Sequence, residues 1–330
     1  MAGDPGARPR VRVEEAEPGI TVVSIDRPGR RNALDARTLD ELARAFEGID
    51  ARAAVLTGTG PAFCAGYDLH SVAGPGFARR AEELIAHPAH AVFGAIRNSG
   101  FPVIAAITGP ALGGGLELAC CCDARVATRS AVFGVPAGDL GLVYSDAGVQ
   151  RFASVWGGSL TREMLLLGRR VDARRAWRAG VLAELTDEHG HVAAALDLAR
   201  RAARLAPGAT AANKRIAEGV LAPSPSGPAV DAAALRRACF APTGELRTRV
   251  EAFVRGSAAR RDGRRAPGPA PASPVRDPAP PGRDPAPPGR DPAAPVQGLS
   301  PPAPDLPLPG PDLPLPGRVR PPSGGQVPDA

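Results

Sequence analysis

The residues best suited to chemistry are Glu117 and the three glycines before it, Gly113, Gly114 and Gly115. They sit in the segment Pro102 to Arg125, PVIAAITGPALGGGLELACCCDAR. Its apolar run, Val103 to Ile107, reads as a buried strand; it breaks at Gly109-Pro110 and restarts at the glycines, which open a short helix. Glycines there let a ligand approach the backbone, and the first amides of a helix lack intrahelical acceptors. Such amides can hold a carbonyl oxygen while a carboxylate one turn further on moves a proton beside it. The order of the glycines does not fit the G-x-G-x-x-G dinucleotide fingerprint, and no Gly-Lys-Ser/Thr ending marks a phosphate loop. Tight packing of helix on sheet is the other reading of this loop.

A second corner has the same design. Gly58 to Leu69, GTGPAFCAGYDL, follows the apolar run Ala53 to Thr57, and its Ala65-Gly66-Tyr67-Asp68 core needs a sharp turn at glycine. That turn leaves the Tyr67 amide able to point inward. Two strand-then-glycine corners can supply two donors to one oxygen, and losing one such donor costs ~3 kcal/mol of transition-state stabilisation.

The elements that must position these corners are a strand-rich first half and a helical second half. Val11–Val13 and Ile20–Ile25 read as paired strands around Pro18-Gly19, and Arg37 to Glu47 as a helix with Leu39, Leu42 and Phe46 on one face. Residues 78–98 read as helix that Pro88 must kink or divide. Strands are expected at Ala124–Ala127 and Ala131–Phe133, then helices over 147–156, 160–167, 173–179, 192–205, 209–220 and 243–255. Alone, this pattern supports only an α/β or α+β fold.

The two corners together resemble the crotonase superfamily of enoyl-CoA hydratases and isomerases, whose loops read F-x-A-G-x-D-[IL] and [IV]-x-G-x-[AC]-x-G-G-G-x-E-[LI]. Ordered matches run from roughly Val11 to Arg255: Arg27, Pro28, Asn32, Ala33 and Leu34; Phe133, Gly134 and Pro136; Gly141; and Gly148, Gln150 and Arg151. The resemblance implies an α/β fold, the crotonase (ClpP-like) spiral of ββα units over residues 1–200. A helical trimerisation region over 201–256 would follow, giving a homotrimer or hexamer. It also implies acyl-coenzyme A thioesters as partners, with coenzyme A part of the substrate and neither metal nor redox cofactor required.

By the same resemblance, the Tyr67 and Gly114 amides form the oxyanion hole and Glu117 is the acid/base. Cys64, Ala65, Gly66, Asp68 and Leu69 would lie along the pantetheine and adenine, Gly113 would shape the hole, and Phe253 would close the acyl pocket of a neighbouring copy. Lys214 and Arg255 are candidate phosphate contacts. The second glutamate of the family's hydratases falls on Ala137, in Phe133-Gly134-Val135-Pro136-Ala137. Asp139 and Asp146 are nearby acids; Asp146 could equally cap a helix beginning at Ala147. Tyr144 stands where a decarboxylase of the family also carries tyrosine, and pocket packing is its alternative. The expected activity is therefore of enoyl-CoA hydratase/isomerase type with one glutamate. Alternatives are a decarboxylase, a thioester hydrolase, or a catalytically faded binding module.

Composition sets the outer bounds. About the first 256 of the 330 residues are globular in composition, and 257–330 is rich in Pro, Gly, Ala and Arg. Two tandem repeats lie there, DPAPPGR at Asp277 and Asp284 and PDLPLPG at Pro304 and Pro311. Such a segment buries too little apolar surface to offset its ordering entropy, so disorder is expected. The formal charge of +6 comes from arginine, with Lys214 the one lysine, and aromatics are 4% of the chain, which argues against nucleic-acid stacking surfaces. Cys120, Cys121 and Cys122 lack metal-ligand spacing and read as small core residues, and His87-x-x-His90 and His189-x-His191 as surface histidines. With no long apolar segment or signal peptide, a soluble cytoplasmic protein is expected.

Overall fold

The computed structural model describes residues 8–86, 88–221 and 245–261, all within one compact unit, Met1–Pro269. His87 and the proline-rich repeats lie outside the described residues. The described strands are β1 (Val11–Glu17), β2 (Ile20–Ile25), β3 (Ala53–Gly58), β4 (Val103–Ile107), β5 (Pro110–Leu112), β6 (Ala124–Thr128), β7 (Val132–Gly134), β8 (Val171–Asp172) and β9 (Glu184–Thr186). The first helices are α1 (Ala36–Gly48), α2 (Leu69–Val72), α3 (Phe77–Ala86), α4 (Pro88–Asn98), α5 (Gly114–Cys120) and α6 (Ala137–Leu140). They are followed by α7 (Asp146–Leu167), α8 (Ala173–Arg178), α9 (His191–Ala203), α10 (Pro207–Leu221) and α11 (Glu245–Arg261).

The main sheet has the order β1-β2-β3-β4-β6-β9. Only β1 and β2 pair antiparallel, around the expected turn; from β2 onward the pairs are parallel. Parallel neighbours need crossovers, which explains why helices separate the strands in sequence. β3 and β4 are buried at every position, so they read as unbroken apolar runs and not as alternation. Alternate residues still face opposite layers. Ala53, Val55, Ile104 and Ala106 meet Ala194, Ala195 and Ala199 of α9, while Leu56, Ala105 and Ile107 join the larger core with Leu39, Leu42, Phe93 and Leu116. The α1 boundary follows from Asp35, whose carboxylate accepts from the Thr38 amide at 2.9 Å.

Pro88 begins α4 and divides it from α3, the second of the two outcomes expected of it. The two helices expected over 147–156 and 160–167 form one run, α7, interrupted at Gly157 by φ 68° and ψ 165°. A second, three-stranded sheet, β5-β7-β8, was not expected; its strands have two or three residues, too few for a periodic signal. The last helix continues to Arg261, beyond the expected tail boundary at 257, and buries Leu246 and Val250. His189 is exposed and His191 half-buried.

Lys214 corrects the reading as a phosphate contact. It is buried, and its Nζ donates to Ile96 O at 3.0 Å, Ser99 Oγ at 2.9 Å, Phe101 O at 3.0 Å and Asp123 Oδ2 at 2.8 Å. It thereby fastens α10 to the start of β4. Lys214→Met is expected to destabilise the chain by roughly 3 kcal/mol in denaturant unfolding, because Asp123 loses its cation and two carbonyls lose a charged donor. A loss below roughly 0.5 kcal/mol would mean that water replaces the ammonium freely.

Candidate active site

The two glycine corners lie side by side because the chain hydrogen-bonds across them. Phe63 N–H donates to Thr108 O at 2.7 Å, Cys64 N–H to Pro110 O at 3.1 Å, and Leu112 N–H to Cys64 O at 3.0 Å. On the other side, Leu34 N–H donates to Gly66 O and Asp68 N–H to Leu34 O, both at 2.8 Å. Residues along a strand alternate the direction of their polar groups. Tyr67, between Gly66 and Asp68, therefore turns its own N–H away from Leu34. Neither the Tyr67 nor the Gly114 amide finds an acceptor among the described residues.

Close approach demands two of the glycines. Gly66 has φ +90°, and a Cβ there would lie 2.7 Å from Leu112 O and 3.3 Å from Gly114 N. At Gly115 a Cβ would lie 2.3 Å from Cys64 O. The Cys64 side chain fills this seam, where burial pushes its thiol up to about 12. Cys64 and Gly66 thus form the seam between the corners, with half-buried Ala65 between them.

Asp68 has a structural occupation. Buried to 4% exposure, it accepts from Arg27 Nη2 at 3.0 Å and caps α2 through the His70 amide at 3.2 Å. Arg27 also pairs with Asp35 at 3.1 Å and donates to Ala33 O. Asn32, fully buried at φ 56°, completes the hub: its Oδ1 accepts from Arg27 N–H, and its Nδ2 donates to Thr59 O and Ala62 O. The R-P-x-x-x-N-A-L motif thus clamps the Tyr67 corner from behind. Leu69 opens α2 and is partly buried against the core.

Glu117 lies in the first turn of α5, 3% exposed. Arg151 of α7 donates to its Oε1 from Nε at 2.9 Å, and Nη2 meets the same oxygen. Phe93 lies 4.9 Å from the guanidinium carbon and supports it from α4. Burial opposes the charge on Arg151, yet the Glu117 carboxylate outweighs it and raises the arginine above its ordinary range. Both tyrosines of the chain stand beside this pair. The Tyr67 ring covers Gly114, with Cε2 2.9 Å and Cζ 3.0 Å from where a Cβ would be. Tyr144 places its hydroxyl 3.3 Å from the corresponding point on Gly113. Burial first, and the Glu117 charge second, hold both phenols well above their ordinary range, so they stay protonated donors.

Ala137, 5% exposed, begins α6 and brings no carboxylate. Both nearby acids lie at the surface. Asp139 is exposed beside Gly168, and Asp146 is exposed with its carboxylate accepting from Ala147 N–H at 2.9 Å. Ser145 is the cap of α7, accepting from Gly148 N–H at 3.1 Å, so the cap lies one residue before the expected one. Phe253 is 45% exposed on α11, its ring centroid 6.2 Å from that of His70. Among the described residues no group of three His, Cys, Asp or Glu could hold a metal, and no helix is long and apolar enough to cross a membrane.

A family pattern described as enoyl-CoA hydratase/isomerase matches residues 15–230. The chain belongs to the crotonase superfamily. This crotonase is 36% identical over 209 residues to a probable enoyl-CoA hydratase, echA6, of Mycobacterium bovis, covering 62% of this chain and 81% of that protein. Among solved structures it resembles an enoyl-CoA hydratase/carnithine racemase from Magnetospirillum magneticum, with TM-score 0.59 and 30% identity over 78% of this chain and 94% of that one. It also resembles a monofunctional enoyl CoA isomerase from M. smegmatis, with TM-score 0.55 and 26% identity over 68% and 97%.

What sequence reasoning missed in this crotonase is Arg151. It is visible as part of a motif, but its partner is 34 positions away. Arg151→Met would leave the Glu117 carboxylate buried without its guanidinium, and burial favours the neutral acid, raising its folded-state pKa. A carboxyl raised on folding costs stability as pH rises through that pKa. The variant is therefore expected to lose about 3 kcal/mol near pH 7 and markedly less near pH 4. Denaturant titrations at the two pH values test this, and a pH-independent loss would reduce Arg151 to packing.

Proposed function

We propose that this protein moves a proton at C2 of an acyl-CoA thioester and shifts double bonds, with hydration disfavoured. The observation carrying this reading is one buried carboxylate, Glu117, beside two unclaimed amides, with a methyl group at Ala137. The thioester oxygen accepts from the Tyr67 and Gly114 amides. Glu117 takes the C2 proton, and the electron pair moves onto that oxygen as an enolate. Returning the proton at C4 relocates the double bond. Adding water requires a second group to hold and deprotonate it, and proton-transfer groups contribute ~10² to 10⁴ each.

Arg151 keeps the site's charge balanced. Before transfer it offsets Glu117; after transfer Glu117 is neutral and the cation faces the enolate. The resemblance to a monofunctional enoyl CoA isomerase supports the isomerase side of this reading. Assembly of several copies through the helical region over 201–256 is part of the proposal, supported by the exposure of Leu205, Ile216 and Val220.

The test is incubation with 3-hexenoyl-CoA and crotonyl-CoA, followed by product analysis. Isomerisation is expected to exceed hydration about a hundredfold, Glu117→Gln to lower turnover ~10² to 10⁴, and Ala137→Glu to raise hydration. Hydration outpacing isomerisation, or full turnover in Glu117→Gln, would refute the mechanism. No turnover across acyl-CoAs, with binding retained, would favour a binding module.

A further inference from the structure

Away from the glycine corners lies an open cleft of about 330 Å³, at the small end of the range for ligand sites. The start of α1 contributes Asp35, Ala36 and Arg37 to its lining, and α3 contributes Arg80, Glu83 and Leu84. Arg10 and Val72 of α2 also line it. Tyr67, Gly114 and Glu117 are not among the lining residues, so the cleft is separate from the site described above.

Every charge on this lining but one is cancelled by a neighbour. Arg10 meets Asp35, which also pairs with Arg27 at 3.1 Å. Arg37 pairs with Glu41 at 2.7 Å, and Glu83 with Arg79 at 3.3 Å. Arg80 is the exception. The turn Ala73-Gly74-Pro75-Gly76 folds back over its guanidinium, which donates to Val72 O at 3.1 Å, Ala73 O at 2.7 Å and Pro75 O. Carbonyls satisfy N–H groups without cancelling the charge. Arg80 is half-buried, and its Nη1 makes one of these contacts and keeps a second N–H to give.

This lining specifies its ligand. The uncancelled cation selects an anion, held by a charge-assisted hydrogen bond. Val72 and Leu84, on the same lining, offer apolar surface to a hydrocarbon tail. Asp35 and Glu83 would repel a second negative charge, which disfavours phosphates, dicarboxylates and coenzyme A itself. We infer that the cleft is a second ligand site, for a short-chain monocarboxylate whose head pairs with Arg80 and whose tail lies against Val72 and Leu84. It is independent of the enolate chemistry at the glycine corners.

The experiment is an NMR titration of the full chain with hexanoate, against hexanol, hexylamine and hexanedioate. Hexanoate is expected to bind one site in the roughly millimolar range, at least about tenfold tighter than the other three. Crotonyl-CoA should not displace it. Ala36→Glu puts a carboxylate into the cleft at a helix start, where acids are favoured, so the fold is retained. That variant and Arg80→Met should each weaken hexanoate at least about tenfold. An absence of binding, hexanol or hexanedioate binding as tightly, or unchanged affinity in Ala36→Glu would overturn the inference. Displacement by crotonyl-CoA would assign hexanoate to the glycine corners and overturn it too, leaving the thioester reading intact.

Discussion

The ion pair between Glu117 and Arg151 is the constraint around which the site is built. A carboxylate at 3% exposure cannot remain charged without a partner, and Arg151 arrives from another helix to provide one. This requires α5 and α7 to pack closely. Gly148 of α7 is the contact that permits it, since a Cβ there would lie 3.1 Å from Glu117 Oε1 and 3.0 Å from the Tyr144 ring. Phe93 closes the other side of the guanidinium from α4. The pair thus ties three helices to one buried carboxylate.

The two glycine corners answer to a different constraint, backbone hydrogen bonding. Alternating ladders on either side of the Tyr67 loop use the amides of Cys64 and Asp68 and leave that of Tyr67 over. The Gly114 amide is left over because it opens a helix. Both donors are thus by-products of ordinary strand and helix geometry. That explains how the Tyr67 position can carry a large side chain: its backbone does one task while its ring covers the neighbouring corner.

Much of this was legible in the sequence. Unbroken apolar runs marked β3 and β4, the breaks after them marked the corners, and the acid one turn past the glycines marked Glu117. The rest depends on tertiary contacts. Glu117 and Arg151 are on different helices, so no local pattern links them. Ser145 and Asp146 are both competent caps, and only the backbone decides between them. Asp68 looked available for ligand because nothing local shows that Arg27 binds it, 41 positions away. Lys214 read as a surface cation for the same reason: burial of a long polar side chain is decided by the acceptors that the fold assembles around it.

Thioesters are good acyl donors, and exposed lysine amines are their usual accidental targets. This chain has one lysine, and its nitrogen is enclosed by four oxygen acceptors. On the proposed function, the protein would thus present no lysine side chain for activated acyl groups to mark. Arginine, which resists acylation, supplies nearly all of the chain's basic side chains, so acyl thioesters of the proposed kind would leave that charge intact.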